Sequence, residues 1–77
     1  MILTIDCIRF GEVLRVTRAA RGIGLRPAAK EMGMSHATIC RIERGGSFQL
    51  KWVHPIAAWC GLSDADLWDL MKLEAEA

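Results

Sequence analysis

Ile23 to Gly45 reads I-G-L-R-P-A-A-K-E-M-G-M-S-H-A-T-I-C-R-I-E-R-G, and this stretch decides the fold. Leu25, Ala28, Ala29 and Met32 recur at i, i+3, i+4 and i+7, the spacing of one apolar helix face. They predict a helix over about Leu25–Met32 with Arg26, Lys30 and Glu31 outward. Pro27 fits its first turn, where amides have no partner within the helix. Gly33 can take the left-handed conformation that stops a helix, Met34 points inward, and Ser35 caps the next helix. That helix spans about His36–Arg44 and stops at Gly45-Gly46. A connection of about three residues between two short amphipathic helices forces a steep crossing, the helix-turn-helix arrangement.

The second helix of this pair is predicted to turn Ile39, Ile42 and Glu43 inward. His36, Ala37, Cys40, Arg41 and Arg44 then face outward. This outer face sets small residues among donors and carries no acid, whereas an ordinary solvated helix mixes Glu with Lys. Such a face can lie flat in a groove of DNA.

Upstream, Asp6 is an N-cap for a helix to about Arg21, with Phe10, Val13, Leu14 and Thr17 on its inward stripe and Gly22 as its stop. Downstream, Trp52, Ile56 and Trp59 form one stripe of a helix over about Trp52–Cys60, although Pro55 blurs its start. Ser63 opens a fifth helix, with Asp66 as the reciprocal acid of a capping box. This helix is expected to reach about Leu73 and to fray through Glu74-Ala75-Glu76-Ala77. Leu67, Trp68, Leu70, Met71 and Leu73 cover more than one face of it, and that surplus predicts a second contact surface. The whole reads as an all-α chain of five helices in one domain over residues 1–77. The helix-turn-helix occupies about 24–45, and 63–77 is a candidate dimerisation segment.

Seventy-seven residues bury only roughly 60–65% of the unfolded surface, a thin core that a second subunit often supplements. The chain is 52% hydrophobic and 25% charged, which fits a globular domain and argues against disorder. No apolar run approaches the ~20 residues of a membrane span, so no membrane partner is expected. Met1–Ile5 lacks the basic leader and cleavage signal of a secretory peptide, so a cytoplasmic location is expected. Cys7, Cys40 and Cys60 are odd in number and widely spaced, which argues against a disulfide framework. With His36 and His54 they match no zinc spacing, and neither metal nor cofactor is implied. The net charge of +1 averages two unlike regions. Residues 1–51 carry nine Lys/Arg against four acids, net +5, while residues 52–77 carry one Lys against five acids, net −4. A basic region beside an acidic one points to a polyanion on one side only.

Ile23–Gly45 resembles the helix-turn-helix of the phage repressor/Cro family, also called the xenobiotic-response-element family. Upstream F-G-E-V-L-R-V-T-R-A-A-R-G (Phe10–Gly22) is similar to that family's first helix. Downstream I-A-A-W-C-G-L-S-D-A-D-L (Ile56–Leu67) is similar to its fourth and fifth. About 60 of the 77 residues take part. The resemblance implies a compact five-helix, lambda-repressor-like fold and double-stranded DNA as partner. It implies that His36, Ala37, Cys40 and Arg41 touch base edges. Arg41 is suited to guanine O6 and N7, and Ala37 to a thymine methyl. It implies phosphate contacts from the start of the first helix of the pair and from the loop after the second. These are Leu25 through its N–H, Arg26, Arg44, Gly46 and Lys51, with Ser35 and Thr38 at the second helix's start. This chain departs from the family at Gly24, where a Ser or Thr cap is usual, and at Pro27. Phe48-Gln49-Leu50 is less basic than the common loop, and Met1–Ile5 is not a basic arm.

Arg18 and Glu43 both fall on inward faces, one turn after Leu14 and Ile39. Opposite charges in such places are costly alone and are expected to pair. The resemblance implies the same pair, with the Arg near a phosphate.

Two functions of different class follow. One is a sequence-specific transcriptional regulator of phage or bacterial type, a repressor acting as a homodimer on a near-palindrome with half-sites about 34 Å apart. Leu67, Trp68 and Met71 are then the candidate dimer interface. The other is an antitoxin or similar interaction protein, whose acidic C-terminal half binds a partner protein and whose DNA binding serves autoregulation. A third use of the face, oxidation of Cys40 as a switch, ranks behind a small residue tolerated in a groove. Trp52, Trp59 and Trp68 are read as core or interface residues and not as a base-stacking platform. The chain offers no paired-carboxylate pocket, nucleophile–base set or phosphate loop, so an enzyme is not expected.

Overall fold

The computed structural model describes residues 2–74, with side chains from Thr4 to Met71. Among these residues five helices follow in order: α1 (Cys7–Ala20), α2 (Leu25–Met32), α3 (His36–Glu43), α4 (Val53–Cys60) and α5 (Asp64–Asp69). The all-α, five-helix architecture predicted from the sequence is thus the one observed. Two short strands, β1 (Ile2–Ile5) and β2 (Met71–Glu74), pair antiparallel beside the helices.

The caps explain where the helices begin. The Asp6 carboxylate accepts from the Arg9 N–H at 3.2 Å, and the Ser35 hydroxyl accepts from the Thr38 N–H at 3.2 Å. Ser63 and Asp66 form a reciprocal capping box on α5. Pro55 is less disruptive than its position in the sequence suggests. A 3-10 turn over Leu50–Trp52 precedes α4, so the helix proper starts at Val53 and Pro55 lies in its first turn. Between α2 and α3, Gly33 takes φ 73°, the left-handed geometry that ends α2. The Met34 N–H then closes the turn on the Ala29 carbonyl at 3.0 Å.

One stripe from each of α1 to α4 meets in the core. Phe10, Leu14, Ile39, Ile42 and Ile56 are fully buried there, with Ala28, Ala29 and Met32 between them. Each large aliphatic or aromatic side chain so buried contributes roughly 1.5–3 kcal/mol against the entropy of ordering the chain. The two helices that carry most of this core approach closely at Gly11. A Cβ there would run into the Ile42 carbonyl oxygen. Glycine at this point lets α1 rest backbone against backbone on α3 and fixes how far α3 projects.

The fifth helix is shorter than expected. It ends at Asp69, and Met71–Glu74 is a strand where the sequence predicted helix to about Leu73. The reason lies in the carbonyls at its end. Asp69 accepts from the Arg9 guanidinium at 2.7 Å, and Leu70 accepts from the Asp6 N–H at 2.7 Å. A continuing helix needs those acceptors for Leu73 and Glu74. Leu70 turns into the core, 5% exposed, and the chain departs along β1. The ladder sets Leu3 against Leu73, Thr4 against Lys72 and Ile5 against Met71. Glu74, where the expected fray begins, is the last residue of β2; the rest of that fray, residues 75–77, lies outside the described residues, as do Met1 and the side chains of Ile2, Leu3, Lys72, Leu73 and Glu74.

Candidate nucleic-acid interface

The site is built on α3, which stands on the core through Ile39 and Ile42, each 0% exposed. Anchoring the helix on those two residues turns its other side outward. His36, Ala37 and Arg41 are exposed and Cys40 is partly so. These four, with Arg44 and Gly46, line one open groove of about 480 Å³. The four residues expected to read bases therefore share a continuous surface with two of those expected at phosphate. Among the described residues the Arg41 and Arg44 guanidinium groups make no ion pair and no hydrogen bond. Each is a cation with its donors unspent, at the edge of a surface without acid.

The remaining predicted contacts lie outside that groove's lining. Leu25 and Arg26 begin α2, where Gly24 has no side chain to cap the free amides. Pro27 has no N–H, so the first-turn donors there are those of Leu25 and Arg26. At the start of α3 the Ser35 and Thr38 hydroxyls are 2.8 Å apart and bonded to each other. Lys51 is exposed, and its ammonium sits 4.9 Å from the centre of the Trp52 ring. The Gly46 N–H is already committed, donating to the Arg41 carbonyl at 3.0 Å.

Arg18 and Glu43 join α1 to α3 by two hydrogen bonds, Nε to Oε2 at 2.7 Å and a terminal nitrogen to Oε1 at 2.9 Å. The Arg18 side chain is 20% exposed and that of Glu43 8%. Donation to the Glu43 carboxylate holds the Arg18 guanidinium above its ordinary pKa, against the opposing pull of burial. The third prong of Arg18 donates to the Ile23 carbonyl at 3.0 Å, just before α2. One side chain thus ties α1, the approach to α2 and the C-terminal turn of α3.

Sequence reasoning missed a second tie. The Arg21 guanidinium lies 4.3 Å from the Trp59 ring centre, and the Trp59 indole N–H donates to Glu31 at 3.4 Å. Through these contacts α4 braces α1 and α2. No spacing in the sequence signals it, because all three residues are far apart along the chain. At the other end of the molecule Leu67, Trp68 and Met71 do come together, and with Asp64 they line an open groove of about 310 Å³. Trp68 is 65% exposed there. Trp52 and Trp59 pack instead against the core.

A short three-residue turn between α2 and α3, with α3 projecting a donor-bearing face, defines a helix-turn-helix of the phage repressor/Cro class. Residues 9–70 match the family described as a helix-turn-helix domain, and the chain belongs to that family of DNA-binding transcription regulators. Among solved structures, it is similar to the clp gene regulator ClgR from C. glutamicum. Their identity is 25% and the TM-score 0.67, over 86% of this chain and 87% of that one. It is also similar to the restriction-modification controller protein C.AhdI from Aeromonas hydrophila. There the identity is 25% and the TM-score 0.67, over 80% of this chain and 96% of that one. No curated protein sequence matches it significantly. Among the described residues no helix is long and apolar enough to cross a membrane.

Proposed function

We propose that the protein is a sequence-specific repressor that binds a near-palindromic duplex site as a homodimer. The observation that carries this reading is the acid-free outer face of α3, where the guanidinium groups of Arg41 and Arg44, beside Ala37 and Cys40, are unpaired among the described residues. A helix presenting small residues and free donors fits the major groove, where base edges offer matching acceptors. Arg41 takes a guanine through two parallel hydrogen bonds, Ala37 meets a thymine methyl, and His36 donates to a base or phosphate. The N–H groups of Leu25 and Arg26 and the side chains of Arg26, Arg44 and Lys51 hold the backbone, with Ser35 and Thr38 at its edge.

One such module reads few base pairs, and a second copy doubles the site. The apolar groove at Leu67, Trp68 and Met71 is the surface assigned to that second copy. The two similar structures support the reading in kind, since by name one regulates clp genes and the other controls a restriction-modification system. Binding of a generic duplex followed at about 50 and 200 mM salt tests the proposal, and a loss of roughly a thousandfold or more over that range is expected from phosphate neutralisation. Absence of duplex binding at the lower salt would remove it.

A further inference from the structure

We infer that Gly46 aims Arg41, and that the bare backbone at position 46 is a specificity-determining feature of the reading face. The inference rests on the proposal that Arg41 reads a base. A Cβ at position 46 would lie 2.9 Å from Arg41 Cγ, 3.1 Å from the Arg41 carbonyl oxygen and 3.6 Å from Arg41 Cδ. Carbon atoms prefer separations of about 3.5–4.0 Å, so the Arg41 stem occupies the space a side chain would need. The Gly46 N–H donates to the Arg41 carbonyl at 3.0 Å and holds the loop against the end of α3. Arg41 therefore leaves α3 over Gly46, which acts as the floor beneath its stem.

The backbone at Gly46 does not itself demand glycine. Its φ is not positive, whereas that of its neighbour Gly45 is 82°. Alanine at 46 is thus conformationally permitted, and the three atoms nearest its Cβ all belong to Arg41: the stem at Cγ and Cδ, and the main-chain carbonyl oxygen. Crowding at Cγ forces the stem to another staggered rotamer and swings the guanidinium, which sits beyond three further bonds. A two-pronged contact with guanine depends on the fork's orientation, so a re-aimed fork loses one or both bonds while its charge remains. Gly46 is a positioning residue in this scheme, acting on DNA through Arg41.

The test is a double-mutant cycle read by selection from a random duplex library, with thermal unfolding of each variant measured alongside. Arg41→Ala should flatten one position in each half-site. Gly46→Ala should cut the preference at that same position by about tenfold, within the discrimination one bidentate contact supplies, and leave the other positions alone. In the Arg41→Ala background, Gly46→Ala should add nothing. If Gly46→Ala retains the full preference while Arg41→Ala abolishes it, the inference fails and base reading by Arg41 stands. If Gly46→Ala weakens every position alike in both backgrounds, Gly46 only shapes the loop and the inference is again overturned. If Arg41→Ala flattens nothing, base reading by Arg41 is wrong and the inference goes with it.

Discussion

Arg18 and Glu43 lie 25 residues apart in the chain and meet through two hydrogen bonds of 2.7 and 2.9 Å between α1 and α3. Neither group is freely solvated, and no other cation bonds the Glu43 carboxylate among the described residues. Removing one partner leaves the other desolvated and unpaired, which costs far more than the pair contributes over water. Glu43→Ala is expected to lower stability by about 3 kcal/mol, checked by denaturant unfolding. Because Arg18 also holds the Ile23 carbonyl, the same change should loosen the approach to α2 and weaken DNA binding.

Arg26 and Lys51 are expected to act on DNA by charge alone. Both are exposed, and among the described residues neither is held in an ion pair. Replacing either with Gln should weaken binding to all duplexes by a similar factor and reduce the slope of log K against log salt by about one unit per removed contact. Titrations at several salt concentrations, on a selected and a scrambled duplex, check this.

Trp68 stands 65% exposed beside Leu67 and Met71, an expensive place for an indole in a lone subunit. Trp68→Glu is expected to shift the protein from dimer to monomer in sedimentation while the helical signal is retained. A near-palindromic duplex should then be bound much more weakly than by the parent protein, since two linked half-sites become one.

Asp66 gives the fold an acid-sensitive corner. Backbone and side-chain hydrogen bonds with Ser63 hold its carboxyl below the ordinary value of 3.8. A lowered folded-state pKa means stabilisation that is complete above the unfolded value and lost as pH falls through the folded one. The capping box on α5 should therefore weaken only below about pH 4, and Asp66→Asn should flatten that part of the profile. Thermal unfolding between about pH 5 and pH 2 measures it.

Much of the fold was legible because its signals are local. The period of Leu25, Ala28, Ala29 and Met32 gives α2 directly, and the Ser35 cap sets the start of α3 to the residue. Inward Ile39 and Ile42 leave little choice about which side of α3 faces out. The strand at Met71–Glu74 was hidden because its cause is non-local. Met71-Lys72-Leu73-Glu74 alternates apolar and polar residues, but four residues cannot separate strand from helix by pattern. What decides it is capture of the Asp69 and Leu70 carbonyls by Arg9 and Asp6, some 60 residues away. Gly46 is a similar case. The resemblance implies a phosphate contact there, and only the three-dimensional arrangement reveals that its N–H donates to the Arg41 carbonyl and that a Cβ would crowd the Arg41 stem.

DNA reading by α3 is put to the test by selection of bound sequences from a random duplex library, run with the parent protein and with Arg41→Ala at about 50 and 200 mM salt. The parent protein should enrich a two-fold symmetric motif. Arg41→Ala should relax one guanine-bearing position in each half-site and keep the salt dependence of the remaining phosphate contacts. Enrichment of no motif would contradict the claim that the outer face of α3 reads DNA, and a motif that Arg41→Ala leaves intact would contradict base reading by Arg41.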